Sequence, residues 1–153
     1  MAQRMSYAKA APGAYQAMLR MHEYVGHSGL EEPLLLLVYL RASQINHCAY
    51  CVDMHWKDLR AMGESEQRLY MLDVWREWSS YSDRERAALA WTEAVTLITD
   101  GYVPDEVYEQ ARKQLSEADL ANLTLAVVEI NGWNRLNVSF RTEAGRYQQR
   151  TVA

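Results

Sequence analysis

Apolar side chains recur along this chain at helical intervals, and no stretch alternates apolar with polar as a half-buried strand would. Pro12 can occupy the first turn of a helix running to Gly26, with Tyr15, Met18, Leu19 and His22 on one side. Pro33 opens a second, Leu34 to Gln44, whose near-continuous leucines predict burial all round. A third begins near Cys48 and stops at Gly63, a C′ glycine. Ser65 caps a fourth from Glu66 to about Trp78, and Ser82 with Glu85 has capping-box spacing for a fifth that ends near Gly101. Pro104-Asp105-Glu106 reads as the acidic first turn of a sixth. Ser116 caps a seventh that runs through the apolar segment Leu120 to Ile130. Short connections, no linker composition and no repeat predict one domain over residues 1–153, a compact all-α bundle of about seven helices.

Composition narrows the class. With 153 residues, 49% of them hydrophobic, the chain can bury a core, which excludes disorder; 7 Gly and 3 Pro exclude collagen-like sequence. A net charge of −4 gives no electrostatic reason to expect nucleic acid or an anionic membrane as partner. The longest apolar run, Leu34 to Leu40, is far shorter than the ~20 residues that span a bilayer. Residues 1–7 carry no apolar signal-peptide core, so a cytoplasmic location is expected. Five Trp and ten Tyr against one Phe supply many large rings with a polar tip, suited to cores near a surface or to subunit interfaces.

The chemistry concentrates between His47 and His55. The chain's two cysteines form one C-x-x-C, Cys48 and Cys51, which is no disulfide framework for a secreted fold. On a helix at about 100° per residue, with Cys48 at zero, Cys51 falls near ~300° and His55 near ~340°. Val52, Leu59 and Met62 share that face, so both thiols and the imidazole sit in an apolar stripe. Cα atoms at i and i+3 are about 5 Å apart, within disulfide range. His55 is i+4 from Cys51, near enough to take its proton directly or through a water. Cys48 is expected at the helix N-terminus, where unpaired N–H groups favour a thiolate, and Asn46 and His47 before it tolerate a left-handed turn. Such a dithiol can be deprotonated, oxidised to a sulfenate and resolved as an intrahelical disulfide.

Two rival readings stand beside this one. The cysteines can be small core hydrophobes. His47, Cys48, Cys51 and His55 also offer four zinc ligands, but three of them fan along one helix face rather than converge as a tetrahedron requires. His22 and His27 resemble a metalloprotease pair, yet their i, i+5 spacing sets them about 140° apart. The glycosylation patterns at Asn122 and Asn137 mean nothing in the cytoplasm.

The run Leu40 to Asn46, then Cys48-Ala49-Tyr50-Cys51 and on to His55, closely resembles the core of the AhpD-like alkylhydroperoxidases of the carboxymuconolactone decarboxylase superfamily. Tyr81 to Trp91 and Asn131 to Asn137 resemble one branch of it, and the resemblance covers residues 15–141. It implies an all-helical fold that assembles into trimers or hexamers. It also implies reduction of organic hydroperoxides by the two cysteines, with a histidine and a glutamate in a proton relay and no organic cofactor or metal. An external dithiol, thioredoxin-like or lipoamide-type, would then reduce the disulfide. The branch that decarboxylates lacks this cysteine pair.

Two positions depart from the family pattern. Leu36 stands where the relay glutamate lies, twelve residues before the first cysteine, and His47 stands where glycine is common. Glu93, between Leu89 and Leu97 on an apolar line of the fifth helix, is the expected replacement, reaching Cys51 and His55 to hold the imidazole as a base. Glu129 is the second choice, on a face that reads as wetter. Cys48, Cys51, His55 and Glu93 are therefore the expected catalytic residues, with the attacking cysteine undecided. Two other readings remain, a redox-sensing oligomer and general thiol–disulfide exchange. Exchange predicts an exposed Cys48 with a groove beside it, whereas a peroxidase predicts a small, mostly apolar pocket.

Overall fold

Proline and serine set most helix starts where the sequence places them. The computed structural model describes residues 2–149, and among these there are helices and turns but no strand. After a single turn, α1 (Tyr7–Ala10), come α2 (Pro12–Gly26), α3 (Glu32–Ile45), α4 (Ala49–Ala61) and α5 (Glu66–Met71). A 3₁₀ segment, Leu72–Glu77, precedes α6 (Asp83–Thr96), α7 (Asp105–Gln114) and α8 (Glu117–Phe140). The all-α expectation holds, and the helix count rises by the extra turn at Tyr7. Pro12 and Pro33 lie in the first turns of α2 and α3. Both bonds of the Ser82–Glu85 capping box are present, and Ser116 with Asp119 forms a second at the start of α8.

Two elements differ from expectation. The fourth helix breaks after Met71 instead of reaching Trp78, with Val74 at φ −117°. No proline or glycine causes this. The buried indole of Trp75 donates to the Glu93 carboxylate at 2.8 Å while Arg76 and Arg86 stack over it, so tertiary contacts override local propensity. The fifth helix stops at Thr96, well short of Gly101.

α3 is the central element, packed against α4, α6 and α8, and eight of its residues are buried, as its leucines predict. One apolar cluster joins it to α2, α6, α7 and α8 around Val38, Leu123 and Val127; the other joins it to α4–α6 around Leu40, Leu59 and Leu89. Beyond α8 the chain turns back over α4. There Gly145 N–H donates to Asp53, Lys57 donates to the Tyr147 carbonyl, and the Tyr147 hydroxyl donates to Asp58 at 2.8 Å. Among the described residues no helix is long and apolar enough to cross a membrane.

Candidate active site

The turn between α3 and α4 builds the site. α3 ends in a Schellman arrangement: Cys48 N–H donates to the Ser43 carbonyl at 3.0 Å, and His47 takes the left-handed conformation at φ 53°. The position where glycine would be unstrained is thus held by histidine. Asparagines of α8 pin the turn. The Asn46 amide donates to Asn131 and Asn134 at 3.0 and 2.9 Å, and Asn134 donates to Ser43 at 3.0 Å. Cys48 follows as the N-cap of α4, its sulfur accepting from Cys51 N–H at 3.4 Å.

Cys48 and Cys51 form a disulfide across one helical turn, with Cα atoms 5.3 Å apart. Both are buried, at 1% and 0% exposure. They open onto different spaces. Cys51 and His55 line a cavity of about 200 Å³, walled by Tyr7, Tyr15, Tyr39, Met54, Ile130 and Trp133. Cys48 instead borders a surface groove, with His47, Asn137, Arg141 and Thr142 among its lining.

His55 is 5% exposed, and neither ring nitrogen has a hydrogen-bond partner. Burial, with a further push from His22, lowers its pKa to about 3, so the imidazole is neutral. That value belongs to the disulfide, whose sulfurs carry neither charge nor proton. A thiolate at Cys51, i−4 on the same helix, would favour the imidazolium. The Tyr39 ring lies 5.3 Å from the imidazole.

Glu93, expected here, lies elsewhere. Its carboxylate accepts from Arg41 at 2.8 Å, from the Trp75 indole and from Arg76. Burial would raise its pKa, but these donors outweigh it and hold the carboxyl below its ordinary value. Glu93 is therefore an ionised anchor for the 3₁₀ segment and does not hold His55.

The carboxylate in the cavity wall is Glu129 of α8, and its face is not wet: it is 1% exposed. Three helices supply its donors. Tyr39 O–H reaches one oxygen at 2.8 Å; His22 at 2.7 Å and the Trp133 indole at 3.1 Å share the other. The hydrogen bond that His22 donates to Glu129 raises its pKa, against the opposing effect of its partial burial. Burial and the carboxylate hold the Tyr39 hydroxyl above its ordinary range, so it stays a donor. Sequence spacing set aside His22 and His27 as a metalloprotease pair but did not reveal this pairing with Glu129. Tyr39 and Asn137 were missed as site residues; the available signal was a run of asparagines (131, 134, 137) along a mostly apolar helix. Among the described residues no group of three or more His, Cys, Asp or Glu side chains converges as a metal site would.

An all-helical bundle carrying a C-x-x-C disulfide beside a buried histidine defines the class. The chain belongs to the carboxymuconolactone decarboxylase family, whose model matches residues 12–94. It is 41% identical over 144 residues to the uncharacterized protein YdfG of Bacillus subtilis (strain 168), covering 94% of this chain and 98% of that one. A crystal structure from Agrobacterium tumefaciens, ATU0492, is described as a protein of unknown function assigned provisionally to antioxidant defence as AhpD. It superposes with a TM-score of 0.92 at 43% identity, over 95% of this chain and all of that one. The AhpD core of a peroxidase-related protein from Ralstonia eutropha JMP134 shares the fold at a TM-score of 0.79 and 18% identity, over 91% of this chain and 74% of that one.

Proposed function

We propose that the protein reduces organic hydroperoxides through the Cys48–Cys51 dithiol. The observation that carries this reading is that Cys51 and a neutral His55, its ring nitrogens without partners, line the wall of one small, mostly apolar cavity. In the reduced protein His55 takes the Cys51 proton. The thiolate attacks the terminal peroxide oxygen, the O–O bond breaks, and Cys51 becomes a sulfenic acid while the alkoxide leaves. The imidazolium protonates the alkoxide to the alcohol. The Cys48 thiol then displaces water from the sulfenic acid and the disulfide forms. An external dithiol restores both thiols, itself becoming a disulfide. Attack on Cys48 would come from the groove, a surface separate from the peroxide cavity. Glu129 acts by position, accepting from the Tyr39 hydroxyl and so fixing the ring that lies beside His55.

General thiol–disulfide exchange has one observation in its favour, the groove beside Cys48. The burial of Cys48 opposes it, and the groove suits the reductant step equally well. The test is to react the reduced protein with cumene hydroperoxide between about pH 5 and 9. The expected result is loss of both thiols with a Cys48–Cys51 peptide lighter by two hydrogens, and no such acceleration in His55→Ala. Thiol loss at the rate of a free model thiol would overturn the reading.

A further inference from the structure

Cys51 is the third residue of α4, in its first turn. Its own backbone N–H, the third of the helix, is spent on Cys48 Sγ. The Cys51 sulfur is served instead by a side chain from α8: Asn137 Nδ2 donates to it at 3.4 Å. A disulfide sulfur has no proton, so it can only accept, and the amide must present its N–H there. The Asn137 oxygen then faces Tyr7, whose hydroxyl donates to it at 3.2 Å. Tyr7 stays protonated, since burial and the neighbouring Tyr15 and Tyr50 push its pKa up to about 12. Asn137 is 5% exposed, so neither bond is traded readily for water.

We infer that Asn137 is a catalytic residue, a fixed donor that stabilises the Cys51 thiolate, and that Tyr7 is its positioning residue, locking the amide with its N–H toward sulfur. A hydrogen bond to sulfur is weak while the sulfur is neutral and strengthens when it becomes an anion, so the interaction lowers the thiol pKa rather than merely filling space. The inference deepens the peroxidase reading, in which Cys51 attacks. The titratable groups around this thiol are Cys48, Tyr50 and His55 on α4, Tyr15 and His22 on α2, Tyr39 on α3, Tyr7 on α1 and Glu129 on α8. Of these, His55 can share the thiol proton, and Glu129 is fully occupied by its own donors. Asn137 is a donor to Cys51 that needs no ionisation of its own.

The test titrates Cys51 directly in the reduced Cys48→Ser protein, where it is the one remaining thiol. The rate of alkylation by iodoacetamide is followed against pH, with the labelled peptide identified by mass. In Asn137→Ala the Cys51 pKa is expected to rise by about 1–2 units, which cuts the thiolate fraction about 10- to 100-fold below the pKa. Asn137→Asp should raise it further, because an anionic oxygen then faces the sulfur. Tyr7→Phe should raise it by less, and it leaves Asn137 in place should the alanine variant not fold. An unchanged alkylation profile in Asn137→Ala, or in Tyr7→Phe if that alone folds, would overturn the inference. No peroxide enters this measurement, so failure of the peroxidase reading shows separately, as absent hydroperoxide turnover with the pKa shifts intact.

Discussion

Glu129→Leu is expected to lower the unfolding free energy by about 3 kcal/mol, and the melting temperature by about 6–12 °C for a chain of this length. The variant keeps side-chain bulk but removes an acceptor that α2, α3 and α8 all use. The Tyr39 hydroxyl and Trp133 indole would be left without the partner that satisfies them, whereas His22, 58% exposed, can turn to water. An unpaired buried donor costs about 1–3 kcal/mol, which sets the scale. Glu129→Gln should cost less, since its amide oxygen still accepts. Thermal unfolding of the three proteins checks this, and a loss under about 1 kcal/mol in Glu129→Leu would show that the carboxylate does not tie the helices together. Glu129→Gln also tests linkage. The raised pKa of His22 gives stability fully present below the ordinary 6.5 and lost as pH rises through the folded value. That decline on the alkaline side of 6.5 should disappear in the variant.

His55→Leu is expected to do the opposite and stabilise the disulfide form. At pH 7 it removes two buried nitrogens without partners, a gain of about 1 kcal/mol. The gain should grow in acid. The folded pKa, about 3, lies below the ordinary 6.5, so the unfolded chain binds a proton that the native state refuses. Stability present above 6.5 is lost as pH falls through that window, a difference on the order of 4–5 kcal/mol. Urea unfolding of both proteins between about pH 3 and 7 measures it. Parallel acid limbs, or a variant less stable at neutral pH, would show that the imidazole is satisfied where it stands. The same substitution should slow hydroperoxide reduction by about 10²- to 10⁴-fold, the usual worth of a positioned base. A side chain that costs stability in its place is one expected to carry chemistry.

The fold was legible wherever one local signal decided the outcome. Pro12, Pro33, Ser82 and Ser116 each begin a helix by supplying a fixed φ or a cap, and these are properties of a few consecutive residues. The helical face shared by Cys51 and His55 was legible for the same reason, whereas Cys48, extended at the N-cap of α4, borders the groove instead. What one helix cannot reveal is which distant side chain arrives beside it. Glu93 and Glu129 each interrupt an apolar line, and the local pattern put Glu93 first because the Glu129 face reads as wetter, although Glu129 is 1% exposed. The Leu97 end of the Glu93 line is 45% exposed and two guanidiniums claim the carboxylate, whereas α8 is buried on most sides around Glu129 although Val128 beside it is open to solvent. The break at Leu72 and the donation from Asn137 to Cys51 are likewise set by contacts across the bundle.

The central claim is that Cys51 is the sulfur that meets the peroxide. The most direct measurement mixes the reduced Cys48→Ser protein with cumene hydroperoxide in the presence of a dimedone-type sulfenate trap and maps the adduct by peptide mass. With no second thiol to resolve it, the sulfenic acid should accumulate and be trapped on Cys51, far faster than on free cysteine at the same pH. No adduct at Cys51, or one formed no faster than on free cysteine, would contradict the account.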